Sequence, residues 1–210
     1  MSYELMQKLL IATTNPGKLA DLKNFLSDLP LKLVSLKGLN ITDRVEENGK
    51  TFRENAIIKA KFYRKISGLP TLADDGGFEI DALSGEPGVK SHRWIDPTRE
   101  ADDEELISYT MKRMEDVPLE KRQAQLRVVL ALTLPNGEIY TAEEIVRGIV
   151  PLKPGTHRTK GYPFRSLLFI SEINKFYDHS QLTAEEIIKY DHRRRAVDKL
   201  KPNLLKLWQN

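Results

Sequence analysis

Two adjacent acids, Asp74 and Asp75, end a short apolar run and stand directly before Gly76-Gly77, in the stretch LPTLADDGGFEIDALSGEPGV of residues 69 to 89. A buried strand that closes in paired carboxylates and a glycine turn suits a hard divalent cation. Mg²⁺ takes a few carboxylate oxygens and completes its shell with water and phosphate. Glycine lets other groups approach the backbone closely. The same four residues also read as a plain turn, so the decision rests on the rest of the chain.

Three further groups of residues have types and spacings suited to anions. TTNPGK, residues 13 to 18, lies where a strand runs into a helix. The first turn of a helix offers unpaired N–H groups and positive dipole. Lys18 falls in that turn, where a cation is disfavoured unless an anion sits beside it. SHRW, residues 91 to 94, follows a Gly- and Pro-rich stretch and puts forward Arg93, whose planar fork suits phosphate. YDHRRRAVDKL, residues 190 to 200, crowds His192, Arg193, Arg194 and Arg195 into the first turn of a helix that Asp191 would cap. That cluster too implies an anion or an oxo-rich ligand. The bland alternatives are a capped helix with a solvated lysine, a basic loop, and a basic face paired with Asp198 or Glu185.

The acidic loop before a second helix completes the set. In VEENGKTFRENAIIKAKF, residues 45 to 62, Glu46 and Glu47 precede a glycine, and Asn55 and Lys59 lie one turn apart on one helix face. Glu47 could join Asp74 or Asp75 around a metal, with Lys59 reaching phosphate. Phe52, Ala56, Ala60 and Tyr63 would form the buried face.

The elements that must position these residues are legible. Leu9 to Thr13 reads as a buried strand, and Asn15 with Pro16 starts a helix bearing Leu19, Leu22, Phe25 and Leu26. Leu31 to Leu36 alternates as a strand. Thr51-Phe52-Arg53-Glu54 is a capping box opening a helix to about residue 66, and Pro70 to Ala73 is a short strand before the acidic turn. Residues 99 to 115 look helical. Leu126 to Leu134 and Glu138 to Val150 flank Pro135-Asn136-Gly137 as a hairpin. Thr183 to Lys189 and Asp191 to Lys201 look helical, with an interruption at Pro202. The mixture specifies an α/β protein with a mixed sheet.

At 210 residues the chain is long enough for one large domain or two lobes around a continuous sheet. A net charge of +3 is too small to argue for duplex DNA or a membrane surface. The absence of cysteine excludes disulfides, thiolate metal sites and cysteine nucleophiles. No run reads as a signal or a membrane span. The expectation is a cytoplasmic protein with no nucleic-acid or membrane partner.

TTNPGK, the ENGKTFRENAIIKAK helix, LADDGGFEIDALSGEPGV with SHRW, and DHRRRA occur in the order and spacing of the inosine triphosphate pyrophosphatase family. The resemblance is dense from residue 9 to about 94 and resumes from about 161 to 200. It implies a single nucleotide pyrophosphatase domain over residues 1 to 210. The implied fold is a long mixed twisted sheet flanked by helices, in two lobes with the active-site cleft between them. The implied activity is Mg²⁺-dependent cleavage of aberrant purine nucleoside triphosphates to monophosphate and pyrophosphate, in a homodimer. Position by position, Glu47 and Asp75 match metal-holding and water-activating acids. Asp75 becomes the general base, with Asp74 in support. Thr13, Asn15, Lys18 and Lys59 match phosphate contacts, and Ser91 and Arg93 the motif over the triphosphate and sugar. His192 and Arg193 match the pair that reads the 6-oxo group.

Three positions depart from the family pattern, all on the base-recognition side. Gly161-Tyr162-Pro163-Phe164-Arg165-Ser166 stands where the family has glycine, aromatic, glycine, aromatic, aspartate, proline. Tyr162 keeps the stacking ring, but Arg165 reverses the charge beside it. Asp191 replaces the serine before the histidine–arginine pair, and Ile187 replaces a lysine. Asp191 would accept from a 6-amino group, so the alternatives are the same chemistry on ATP, dATP or a modified base, and a silent nucleotide-binding protein.

Overall fold

The structure, a computed structural model, describes residues 7–206. Seven strands form one sheet: β1 (Lys8–Ala12), β2 (Lys32–Ser35), β3 (Thr71–Ile80), β4 (Gln123–Thr133), β5 (Ile139–Ile149), β6 (Phe169–Ile170) and β7 (Lys175–Phe176). Their order is β2-β1-β3-β4-β5-β6-β7. β1 pairs in parallel with β2 and β3, while β6 is antiparallel to both β5 and β7, so the sheet is mixed, as the sequence leads one to expect. The chain divides into two compact units.

One unit holds the chain up to Asp75, Val128–Glu144 and the chain from Arg193 on. Its helices are α1 (Pro16–Phe25), α2 (Phe52–Ser67) and most of α5 (His192–Leu205). Strand side chains alternate between faces, and here both faces are apolar. Leu9, Ile11, Leu72, Val128, Leu130 and Leu132 pack with Leu22 and Phe25 of α1 and Val197 and Leu200 of α5. Leu10, Ala12, Ala73, Val129 and Ala131 pack with Phe52, Ala56, Ala60 and Tyr63 of α2. Helices on both faces are what a parallel core requires.

The other unit holds Gly76–Arg127 and Ile145–His192. It contains α3 (Asp103–Arg113) and α4 (Ala184–Tyr190). Its core joins Phe78 and Ile80 of β3 with Leu106 and Ile107 of α3, Val146 of β5, Leu167, Leu168 and Tyr177. Phe78 and Phe164 stack at 4.9 Å between ring centroids.

The start signals match the structure. Asn15 Oδ1 accepts from the N–H groups of Gly17 and Lys18 at 2.8 and 3.1 Å. Thr51 and Glu54 form the reciprocal capping box of α2, and Thr183 with Glu186 that of α4. In the hairpin, Gly137 takes φ 89°, a conformation that favours glycine, and Leu134 N–H donates to the Glu138 carbonyl at 2.9 Å.

Two expectations are corrected. Asp74 to Gly77 make no turn, because β3 runs unbroken from Thr71 to Ile80. Pro202 does not interrupt its helix, which continues to Leu205. An interior proline costs about 3 kcal/mol, but Leu200 and Leu204 on either side are both buried in the core, and that packing offsets the loss. Asp191 is the C-cap of α4 and directly precedes α5, and its Oδ2 lies 2.8 Å from His179 Nε2. Among the described residues no helix is long and apolar enough to cross a membrane.

Candidate active site

β3 decides the geometry. Because successive side chains of a strand point to opposite faces, Asp74 shares the face of Leu72, towards α1 and α5, and Asp75 the face of Ala73, towards α2. The contacts agree. Asp74 Oδ2 lies 3.3 Å from Lys18 Nζ of α1 and 3.3 Å from Arg193 Nε of α5. Asp75 Oδ1 accepts from Lys59 Nζ of α2 at 3.0 Å.

On the α2 face, Lys59 gathers two carboxylates. Its ammonium is 2.8 Å from Glu47 Oε2 and 3.0 Å from Asp75 Oδ1. Burial alone would lower the Lys59 pKa, but Asp75, Glu47 and Asp74 outweigh it and hold the amine above its ordinary range, fully protonated. Burial pushes the Asp75 carboxyl up, and the Glu47 charge adds to this against the pull of Lys59 and Lys18. One ammonium shared between two carboxylates does not compensate both.

The loop that carries Glu47 is tied to α2. Asn55, buried in the first turns of α2, accepts from Gly49 N–H at 2.8 Å, and Tyr63 Oη donates to the Asp43 carbonyl at 3.1 Å. A Cβ at Gly49 would lie 2.6 Å from Asn55 Oδ1 and 2.7 Å from Glu54 Cβ, so only glycine fits there.

On the α1/α5 face, Asp74 is itself the anion that accounts for the lysine in the first turn of α1. Burial raises its carboxyl, but Lys18, Arg193 and Lys59 overcome this and hold it down at about 2. Arg193 also reaches Asp21 Oδ2 of α1, from Nη1 at 3.4 Å. Thr13 Oγ accepts from Asn15 N–H at 3.2 Å, so Thr13 and Asn15 shape the turn that presents Lys18. Arg194 Nε lies 3.9 Å from Asp198, and Arg195 pairs with Glu144 at 3.0 Å.

The remaining candidates lie in the second unit. Ser91 is buried and donates to the Gly88 carbonyl at 2.7 Å, within the 3-10 helix Gly88–Arg93, and Arg93 is exposed. The buried Arg165 lays its guanidinium over the Tyr162 ring, 3.8 Å from the centroid. His192 Nδ1 and Tyr177 Oη are 2.9 Å apart.

A model of the Ham1 family matches residues 9–203. The chain belongs to the Ham1 family. It is 39% identical to a dITP/XTP pyrophosphatase of Geobacter sulfurreducens, over 95% of this chain and 97% of the relative. It is 33% identical to a dITP/XTP pyrophosphatase of Bacillus subtilis, over 93% and 96%. Among solved structures, a HAM1 protein from Coxiella burnetii aligns with TM-score 0.81 at 30% identity, over 96% of this chain and all of that one. A nucleoside-triphosphatase / dITP/XTP pyrophosphatase from Mycobacterium abscessus aligns with TM-score 0.72 at 34% identity, over 93% of this chain and 100% of that one.

The α2 face has donors that could hold a cation. Among the described residues no three His, Asp or Glu side chains cluster as a metal cage. A hard divalent cation that shares its shell with ligand oxygens and water does not need one. Glu47 and Asp75, already sharing one cation, are hard oxygen donors of that kind. Asp74 Oδ1, on the opposite face of β3, is buried without a hydrogen-bond partner. Three participants escape sequence reasoning: Asp21, Asn55 as an anchor for the Gly49 loop, and Tyr177. Only the Asn55–Gly49 contact is close in sequence, and the -ENG- before a capping box is its one local signal.

Proposed function

We propose that the chain hydrolyses aberrant purine nucleoside triphosphates of the inosine and xanthine type, deoxynucleotides included, to the monophosphate and pyrophosphate with Mg²⁺. Membership in a family whose relatives are named for dITP and XTP supports the substrate class. The observation that carries the chemistry is the convergence of Glu47 and Asp75 on the Lys59 ammonium.

In this reading a water oxygen attacks the α-phosphorus and the bond to the bridging oxygen breaks. Pyrophosphate leaves, and Asp75 accepts the proton of the water. Lys59 and Lys18 supply positive charge to phosphate oxygens, the main demand of phosphoryl transfer. Glu47 and Asp75 would hold Mg²⁺, which neutralises phosphate charge when bound. Thr13 and Asn15 contact phosphate at the head of α1. Ser91 and Arg93 bind triphosphate and sugar, Tyr162 stacks on the base, and His192 with Arg193 reads its 6-oxo group. The working form is a cytoplasmic homodimer, which light scattering tests as twice the monomer mass.

Pyrophosphate release with Mg²⁺ over a panel of inosine, xanthine, guanosine and adenosine triphosphates and their deoxy forms tests the function. Release from the inosine and xanthine compounds is expected, and release from none of the panel would overturn it. Arg165 on the Tyr162 ring favours a second reading, the same hydrolysis with a shifted base preference, which the panel also reads.

A further inference from the structure

We infer that Asp21 is a positioning residue for base discrimination. With Asp74 it locks the Arg193 guanidinium, so that what Arg193 binds is felt at β3 as a change in the rate of hydrolysis. This rests on the proposed reading of a purine by Arg193.

The geometry is a chain of alternating charges, Lys18–Asp74–Arg193–Asp21. Arg193 Nε is 3.3 Å from Asp74 Oδ2, and its Nη1 is 3.4 Å from Asp21 Oδ2. Lys18 Nζ is 3.3 Å from the same Asp74 oxygen. Lys18 and Asp21 stand three residues apart on α1, on one face of that helix. The side chains of Asp74 and Arg193 are 1% and 7% exposed, so solvent does little of the holding. One carboxylate leaves a guanidinium free to swing about that contact. Two carboxylates, from different elements and on different nitrogens, fix its plane. A cation in the first turn of α5 opposes the helix dipole, so its orientation must come from such partners.

The lock reaches the reacting group through β3. Asp74 and Asp75 are successive residues whose side chains take opposite faces of one strand. A shift of Arg193 pulls Asp74 and, through the shared backbone, the strand that presents Asp75. Asp21 lies outside the set that touches phosphate or water, so its removal tests the linkage without removing a catalytic group.

The experiment compares wild type, Asp21→Asn, Asp21→Glu, Arg193→Lys and the Asp21→Asn/Arg193→Lys double variant on the preferred and the disfavoured purine triphosphate. Asp21→Asn is expected to lower kcat on the preferred nucleotide about tenfold, with KM changed less than about twofold and the disfavoured nucleotide unaffected. Asp21→Glu should recover most of the loss. In the double variant the second change should add nothing to Arg193→Lys, as expected of residues acting as one unit. An equal loss on both nucleotides, additive losses, or no change would overturn the inference. The Arg193 Nε–H resonance gives a readout independent of turnover. It should be slow to exchange in wild type and broadened in Asp21→Asn, and equal exchange in both would overturn the lock even if no nucleotide of the panel is cleaved. Failure of wild type on the whole panel would instead sink the proposed function.

Discussion

Asp74 and Asp75 are chain neighbours that face opposite sides of β3, one held by Lys18 and Arg193, the other by Lys59. Their roles therefore separate, and so should the consequences of replacing them. Asp75→Asn is expected to lower turnover at least about a hundredfold, since it removes the proton acceptor. Calorimetry should still detect nucleotide binding, and turnover at the wild-type rate would show that Asp75 is not the base. Asp74→Asn leaves the buried Arg193 and the half-buried Lys18 short of their anion, and breaking a buried pair costs about 3–5 kcal/mol. Urea denaturation should show it to be far less stable than Asp75→Asn.

Gly49→Ala should damage both stability and catalysis. The added Cβ meets Asn55 Oδ1 and Glu54 Cβ at 2.6 and 2.7 Å, and neither can retreat without disturbing the start of α2. Overpacking of this kind costs about 1–3 kcal/mol. The loop it displaces carries Glu47, so kcat should fall more than in a control such as Gly38→Ala. Equal kcat for the two variants would mean that the loop does not position Glu47.

Arg165→Asp is expected to move base preference towards 6-oxo purines. The guanidinium now covers a face of the Tyr162 ring at 3.8 Å and presents only hydrogen-bond donors. A carboxylate reverses both charge and hydrogen-bonding sense, and sites of that kind discriminate strongly. The ratio of kcat/KM for inosine over adenosine triphosphate should rise roughly tenfold or more. Arg165→Ala, which brings in no buried charge, should shift it the same way by less. An unchanged ratio in both would place specificity elsewhere.

Glu144 ties β5 to α5 and should contribute to acid sensitivity. Burial raises its carboxyl, but hydrogen bonds from Lys199 and Arg195 outweigh this and hold it below the ordinary 4.5. A carboxyl lowered in the folded state stabilises it above the unfolded value. That contribution disappears as pH falls through the folded value. Glu144→Gln should therefore be less stable than wild type near pH 6, and the difference should shrink as pH is lowered through the acid range. A constant difference across that range would show that the ionised form of Glu144 contributes nothing.

What the sequence by itself determined is local. Asn15, Thr51 and Thr183 start their helices through bonds that span three residues, and Pro135-Asn136-Gly137 closes its hairpin the same way. The mixture of strands and helices implied an α/β protein with a mixed sheet, and the ordered motifs marked Glu47, Lys59 and Asp75 before any of them had a position. What only the tertiary structure decided depends on distant residues. Asp74 to Gly77 have the composition of a turn, yet strand pairing and burial extend β3 through them. Pro202 has the local preference of a helix end, yet core packing of Leu200 and Leu204 carries α5 past it. The partners of Arg193, at positions 21 and 74, come together only when α1, β3 and α5 share one face of the sheet. A buried charge takes its meaning from the charges that packing places beside it, and no spacing along the chain encodes those.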